Sequence, residues 1–302
     1  MKAHRVSRRR FLERSAVAAG ALTLLPGSLF GTPAEKRTAV DQVTLGKTGI
    51  KLSRLGMGTG SDNGWVQTAL GREGFNKLVR YAYDQGITYF DCAAAYKTFD
   101  WMADAIKGLP REKLFIQSKI GGQPQRALEA IDHQRKVFNT DYVDSLLIHC
   151  MVQGDWTDDW KRIMEAFDEA RAKQWIRAKG VSCHSLPALR AAVASDWTEV
   201  HLVRVNPQGR HIDGMDQKGW DNTSHDVKPV LAELKSLRAK NRGIIGMKIL
   251  GNGEFADPED REKSIRFAMS RPELDAVVIG FKSPAEIDEA IRRMNQALAE
   301  AA

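Results

Sequence analysis

The sequence has few cysteines and no long apolar run, and each absence excludes a class of protein. Three cysteines occur among its 302 residues, an odd count with no two close together, so a framework of disulfides does not hold this fold. No stretch reaches the roughly 20 consecutive apolar residues that a membrane-spanning helix needs. With 43% hydrophobic and 27% charged residues, the composition excludes a disordered chain or a fibre.

An excess of positive charge is absent from most of the chain. The net charge is +7, but the first 34 residues hold six basic residues and one acidic residue, so the remainder is nearly neutral. A nearly neutral body offers little electrostatic attraction to a phosphate backbone. We therefore expect no nucleic-acid partner.

The basic front has the layout of a targeting segment. It contains Ser7-Arg8-Arg9-Arg10-Phe11-Leu12, then an apolar run from Ala16 to Leu25, then Pro26-Gly27-Ser28. This is the order of a basic n-region, a short apolar h-region and a polar exit. The segment resembles a twin-arginine export signal, which implies the twin-arginine machinery as a partner and a periplasmic location. The alternatives are a disordered basic tail and, because proline makes Thr32-Pro33-Ala34 an awkward cleavage site, an uncleaved signal that stays at the membrane.

After this targeting segment, short apolar runs alternate with amphipathic segments, which predicts βα units and a parallel sheet. A hairpin comes first, with Val43–Leu45 and Ile50–Leu52 around a glycine-bearing turn. Eight strand-like runs then follow: Leu55–Thr59, Thr88–Asp91, Leu114–Lys119, Ser145–His149, Ala178–Ser182, His201–Val205, Gly243–Met247 and Ala276–Ile279.

Eight such runs favour a closed barrel over an open doubly wound sheet. A (β/α)8 barrel typically takes about 250 residues, and no Gly-x-Gly-x-x-Gly motif opens a helix after the first strand. We therefore predict an α/β protein with a signal and linker over residues 1–40 and a (β/α)8 TIM barrel, with its N-terminal β-hairpin, over residues 41–302.

Three consecutive predicted strands end in ionisable residues. Asp91 ends the second strand, Lys119 the third and His149 the fourth, and Tyr96 lies five residues beyond Asp91. In such barrels the chemistry sits at the C-terminal ends of the strands, and neighbouring strands lie about 4.8 Å apart. These four side chains are therefore expected to meet at the mouth of the barrel.

The four groups together can act as a proton donor. We expect Asp91 to keep a buried Lys119 charged, and Lys119 to lower the pKa of the Tyr96 phenol toward the operating pH. His149 would orient or polarise the same substrate oxygen. Since no side chain can supply a hydride, a reduced nicotinamide is the cofactor that this proton donor implies.

The order and spacing of these four residues resemble those of the aldo-keto reductases. The flanking segments Leu45–Gly49, Leu55–Thr59 and Asp141–Asp144 agree, and the resemblance covers roughly Val43 to Leu298. It implies an NAD(P)-dependent oxidoreductase whose substrate is a small carbonyl compound or the corresponding alcohol. We predict a monomer.

The resemblance also implies a set of cofactor-binding residues, although several differ from the family's pattern. Cys183 stands where the family has an asparagine, Met247 where an aromatic ring stacks on the nicotinamide, and Leu202 where a glutamine is usual. Glu286 stands where an arginine is expected, and a carboxylate repels a 2′-phosphate. NADP(H) is expected first, with NAD(H) as the alternative. The cofactor-binding residues implied are Ser182, Cys183, Met247, Lys248, Gly280, Lys282 and Ser283.

Three other interpretations stay open. A metal site is the first, because Cys92, Cys150 and Cys183 lie near the strand ends with His184 adjacent, although strand alternation turns Cys92 and Cys150 toward the helices. The second is an exported barrel without redox turnover that binds a sugar or a protein partner. The third is an enzyme whose tightly held nucleotide is reduced and reoxidised within one cycle.

Overall fold

A computed structural model describes residues 37–218 and 223–301 of the chain. The predicted export signal lies outside the described residues. Ten strands are present in the described part: β1 Gln42–Thr44, β2 Lys51–Ser53, β3 Leu55–Gly58, β4 Tyr89–Asp91, β5 Phe115–Ile120, β6 Val143–Met151, β7 Ile176–Cys183, β8 Val200–Arg204, β9 Gly243–Met247 and β10 Ala276–Gly280.

Helices follow the strands, and most of them are amphipathic. They are α1 Trp65–Thr68, α2 Gly71–Asp84, α3 Phe99–Ile106, α4 Ala127–Val137, α5 Trp156–Asp159, α6 Lys161–Ala172, α7 Leu186–Ala194, α8 Lys228–Ala239, α9 Pro258–Met269 and α10 Pro284–Glu300. None of the helices among the described residues is both long enough and apolar enough to cross a bilayer.

The eight strands β3 to β10 close into a parallel barrel. Each pairs with the next, and β10 returns to pair with β3, so that Val277 lies opposite Leu55. The predicted (β/α)8 barrel and its N-terminal hairpin are therefore confirmed. β1 and β2 form the hairpin as a separate antiparallel pair, with Val43 opposite Leu52.

Two apolar layers hold the barrel together. The inner layer consists of strand side chains that point into the barrel, among them Tyr89, Phe115 and Leu147, and the hairpin contributes Leu45 and Leu52 to the same cluster. The hairpin thus packs against the interior of the barrel. The outer layer lies between strands and helices. It includes the helical residues whose periodicity predicted amphipathic helices, Phe75, Val79, Ile163, Phe167, Ile287 and Met294.

The end of β6 is irregular, and this irregularity affects the mouth of the barrel. Ile148 pairs with Val181 and Met151 with Cys183, so β6 contains one extra residue between these two pairs. Cys150 there adopts a φ of 61°, a left-handed conformation that is uncommon for residues other than glycine. A bulge of this kind bends the strand and re-aims the neighbouring side chains. The extra residue directly follows His149.

Candidate active site

The centre of the barrel mouth is an ion pair between Lys119 of β5 and Asp91 of β4. The Lys119 Nζ donates to both carboxylate oxygens of Asp91 at 2.7 Å and to the carbonyl oxygen of Cys92 at 2.8 Å. The Lys119 side chain is 1% exposed and that of Asp91 is 7% exposed. The pair therefore lies almost wholly out of water, as the strand-end pattern predicted.

Gln117 supports this pair from below, and it is not among the site residues predicted from the sequence. Its Nε2 donates to Asp91 Oδ1 and to the Tyr89 hydroxyl, both at 2.8 Å. Gln117 is fully buried on β5, two residues before Lys119 and therefore on the same inner face. A polar residue inside an apolar strand is the signal that could have identified it, but the sequence alone does not show its partner.

Tyr96 lies beside the ion pair, in the loop that follows β4. Lys119 Nζ donates to the Tyr96 hydroxyl oxygen at 3.2 Å. The Tyr96 ring meets the His149 ring edge to face, with centroids 5.5 Å apart and planes at 76°. The structure thus brings together all four residues that the sequence placed at the mouth.

Gly60 makes room for the Tyr96 ring on another side. A Cβ placed on Gly60 would lie 2.2 Å from Cζ and Cε2 of Tyr96. Because these are ring carbons held by the surrounding packing, no side chain fits there without moving the ring. Gly60 itself lines the same cavity as Tyr96.

The protonation of this cluster corrects one sequence-based expectation. Burial raises the pKa of Tyr96 to about 12, although the nearby Lys119 lowers it. The expectation that Lys119 brings the pKa of the phenol down toward neutrality is therefore wrong for the free protein, because the loss of hydration outweighs the attraction of the ammonium. The Tyr96 hydroxyl is therefore protonated at neutral pH and can donate its proton.

The pKa of Lys119 is raised, whereas the pKa of His149 is lowered. Burial alone would lower the pKa of Lys119, but Asp91 and Tyr96 outweigh it and the pKa is raised, so the ammonium stays charged. Burial lowers the pKa of His149 to about 3, and the charges of Lys119 and Lys248 act in the same direction. The His149 imidazole is therefore neutral and can donate or accept a hydrogen bond.

A cavity of about 590 Å³ extends from the mouth to the start of α10. It reaches Asp91 and Tyr96 at one end and Lys282, Glu286 and Arg293 at the other. Four of the cofactor-binding residues implied by the resemblance line it: Met247, Lys248, Gly280 and Lys282. An elongated cavity of this size suits a dinucleotide, with one end at the proton donor.

Two further observations fit a dinucleotide. Ser182 Oγ is buried and has no hydrogen-bond partner within the described residues, so a hydroxyl at the end of β7 is left for a ligand to satisfy. Gly280 lines the cavity, and a Cβ there would lie 2.0 Å from Ser61 Oγ. Glycine at this position therefore lets β10 approach the loop after β3 without moving the Ser61 hydroxyl. Ser283, by contrast, caps α10: its Oγ accepts the Glu286 N–H at 3.3 Å.

Not all of the cysteines lie where the sequence predicted. Cys183, implied as a cofactor contact, is fully buried in the outer apolar layer with Cys92. The correction follows from strand alternation, since Ser182 faces inward and its neighbour must face outward. Cys150 lies half-buried at the irregular end of β6, where burial raises the pKa of its thiol although Arg204 and Lys248 lower it.

The metal interpretation finds no support in the described part of the chain. No group of three or more His, Cys, Asp or Glu side chains within residues 37–218 and 223–301 is arranged to hold a metal ion. Burial raises the pKa of Cys92 to about 12 and that of Cys150 to about 11, although neighbouring cations lower both values. Neither thiol is therefore prepared as a thiolate ligand.

Comparison with known proteins links this geometry to one family. The sequence model of the Aldo/keto reductase family matches residues 54–265. The NADPH-dependent codeinone reductase 1-5 of Papaver somniferum is 32% identical over 195 residues, which are 56% of this chain and 58% of that protein. The glyoxal reductase of Bacillus subtilis (strain 168) is 32% identical over 109 residues, 34% of this chain and 38% of that protein. The chain spans about half the length of the curated relatives it matches.

Solved structures share the fold. An aldo-keto reductase from Bacillus halodurans, in its holo form, superposes with a TM-score of 0.65 at 15% identity, covering 87% of this chain and 96% of that one. A similar protein from Pseudomonas aeruginosa gives a TM-score of 0.68 at 20% identity, covering 86% of this chain and 97% of that one. At this level of identity the likeness establishes the barrel alone.

The contact between Gly60 and Tyr96 makes a first prediction. We expect Gly60→Ala to cost about 1–3 kcal/mol of the free energy of unfolding, because overpacking must be relieved by moving the Tyr96 ring. Urea denaturation measures the cost, and a crystal structure measures the Lys119 Nζ to Tyr96 hydroxyl distance, expected to exceed the present 3.2 Å.

Gly121 supplies the matched control for that prediction. A Cβ on Gly121 would lie 3.7 Å from the nearest atoms of His149, an ordinary contact, so Gly121→Ala should change the free energy of unfolding by less than about 0.5 kcal/mol. An equal cost for both variants, with Tyr96 unmoved in the first, would show that Gly60 does not position the ring.

Proposed function

The chain belongs to the aldo/keto reductase family, and from that premise we propose that it is a nicotinamide-dependent oxidoreductase that interconverts a small carbonyl compound and its alcohol. The observation that carries the proposal is the hydrogen bond from Lys119 to the Tyr96 phenol oxygen at 3.2 Å. Because the ammonium donates to that oxygen, the phenol proton points elsewhere and is free for a substrate. The two relatives named as reductases of codeinone and glyoxal support a carbonyl substrate.

Each residue at the mouth has its own role in proton transfer. A nicotinamide held in the cavity would supply the hydride that this reduction needs. Tyr96 donates its proton to the carbonyl oxygen, and the Lys119 ammonium stabilises the phenolate that remains. Asp91 keeps Lys119 charged, and the neutral His149 donates a hydrogen bond that orients the carbonyl oxygen. In the alcohol-oxidising direction the same groups act in reverse.

The cavity residues bind the dinucleotide in this proposal. Met247 would cover the nicotinamide ring with a polarisable side chain, and Ser182 Oγ, which lacks a partner among the described residues, would bond the ring carboxamide. Lys248 provides positive charge along the cavity. The sequence favoured NADP(H), and the NADPH dependence in the name of the codeinone reductase agrees with a nicotinamide cofactor.

We propose in addition that residues 1–40 direct export of the folded protein to the periplasm. The support is the arginine pair Arg8-Arg9 ahead of Phe11 and an apolar run, the compound pattern of a targeting segment. The twin-arginine route transports folded proteins, so a dinucleotide bound before export would travel with the chain.

Replacing Tyr96 tests its role as the proton donor. We expect Tyr96→Phe to lower kcat for carbonyl reduction by about 100-fold to 10,000-fold, the usual contribution of a positioned general acid, while the dissociation constant for the dinucleotide stays nearly unchanged. Steady-state kinetics and calorimetric titration measure the two quantities.

The control for this variant is another tyrosine hydroxyl outside the cavity. Tyr81 on α2 donates to Asp288 at 2.7 Å, so Tyr81→Phe should leave kcat unchanged. Full activity in Tyr96→Phe would overturn the assigned role. A protein that binds neither dinucleotide would instead favour the barrel without redox turnover.

The pKa values in the free protein predict the pH dependence. Below its pKa of about 12, Tyr96 is protonated, and above its pKa of about 3, His149 is neutral. Since kcat/KM reports the free enzyme, reduction should stay level between pH 6 and 8, whereas alcohol oxidation should rise with pH as the phenolate fraction grows about tenfold per unit. An inflection near pH 6.5 that disappears in His149→Asn would contradict the neutral imidazole.

Export is tested in a bacterium that has the twin-arginine pathway. We expect the double variant Arg8→Lys/Arg9→Lys to remain in the cytoplasm, whereas Arg14→Lys, which changes a basic residue of the same targeting segment outside the pair, should still reach the periplasm. Cell fractionation and immunoblotting measure the distribution. Unchanged export of the double variant would rule out the twin-arginine route.

A further inference from the structure

The position of Tyr96 determines which half of a bound dinucleotide would lie at the far end of the cavity. Hydride transfer requires the nicotinamide at Tyr96, because the proton and the hydride go to adjacent atoms of one carbonyl group. The adenosine end must then extend toward the opposite end of the cavity, where Lys282, Glu286 and Arg293 form the lining. This orientation of the dinucleotide therefore rests on the proposed function.

Lys282 is engaged by Glu286 at this end. The Lys282 backbone N–H donates to Glu286 Oε2 at 2.7 Å, and its ammonium lies 3.7 Å from Glu286 Oε1. The Glu286 N–H in turn donates to Ser283 Oγ. These contacts fix the carboxylate at the first turn of α10, where it faces the cavity and offsets the charge of Lys282.

The two arginines of the far end are paired as well. Arg261 and Arg293 donate to Glu289 Oε1 at 3.0 and 2.8 Å, and Arg293 forms a second ion pair with Glu262. Within the described residues, every cation that lines the far end therefore has a carboxylate partner. A second phosphate on the adenosine would compete with these carboxylates for the same cations.

Lys248 differs from these cations. It lines the middle of the cavity and donates to the neutral amide oxygen of Asn252 at 2.6 Å, and burial lowers its pKa to about 8. Its charge is not offset by this amide contact. It is therefore available to the pyrophosphate that NAD(H) and NADP(H) have in common and does not distinguish between them.

We propose that Glu286 is the residue that determines dinucleotide specificity and that it selects NAD(H) over NADP(H). A carboxylate accepts hydrogen bonds from the hydroxyls of the adenosine ribose, which NAD(H) retains. The same carboxylate repels the 2′-phosphate of NADP(H), and the cations that could attract that phosphate are already paired.

Calorimetric titration of the purified full chain with NAD⁺ and with NADP⁺ tests this proposal. Because the carboxylate repels the 2′-phosphate, we expect NAD⁺ to bind about tenfold tighter or more. Glu286→Gln keeps an acceptor for the Lys282 N–H but removes the charge, so it should reduce the preference by about tenfold, mainly through tighter binding of NADP⁺.

A matched control and a fold check accompany the titration. Asp288 lies two residues further on the same helix and bonds the Tyr81 hydroxyl, so Asp288→Asn should leave the ratio of the two dissociation constants unchanged. Circular dichroism during heating confirms that each variant is folded. Adenosine 2′,5′-bisphosphate, compared with 5′-AMP, should reproduce the same discrimination and thereby locate it at the adenosine end.

The outcomes separate this inference from the proposed function. Equal or tighter binding of NADP⁺ by the unmodified chain would overturn the role of Glu286 and leave the oxidoreductase proposal intact. So would a preference for NAD⁺ that Glu286→Gln does not change. Failure to bind either dinucleotide would overturn both.

Discussion

The site depends on a lysine ammonium that remains charged inside the barrel. Lys119 is 1% exposed, and removing either partner of such a buried pair typically costs about 3–5 kcal/mol because the other charge is left without compensation. Asp91 and the Cys92 carbonyl replace the water that Lys119 has lost. The charged Lys119 then acts on both neighbouring groups: it donates to the Tyr96 oxygen and opposes protonation of His149. Its geometry is fixed because adjacent parallel strands carry Asp91 and Lys119 to the same edge of the barrel.

The sequence predicted the features of this site that depend on the pattern of neighbouring residues, namely the barrel strands and the residues at their ends. Alternation of apolar runs and amphipathic segments is a property of neighbouring residues, and it located all eight barrel strands to within two residues at each end. The rule that chemistry lies at strand ends then brought Asp91, Lys119 and His149 together. The parts it did not predict depend on contacts between distant residues. Gln117 is recognisable as part of the site only through its bonds to Asp91 and Tyr89.

The expectation for the pKa of Tyr96 failed for a reason that also lies outside local sequence. That pKa is the balance of burial against one favourable charge, and the extent of burial is a property of the assembled mouth. The extra residue in β6 is likewise a feature that simple alternation does not anticipate. Similarly, the sequence showed that Glu286 replaces an expected arginine, but only the structure shows that its carboxylate accepts the Lys282 N–H and that Ser283 caps the helix turn that carries it.

The positions of the three thiols have a consequence for chemical durability. Cys92 and Cys183 are fully buried and Cys150 is half-buried, and burial raises the pKa of all three. Disulfide exchange and oxidation proceed through the thiolate, which these groups rarely form. The three thiols are therefore slow to exchange with disulfides or to oxidise, and the barrel holds together without a cross-link between them.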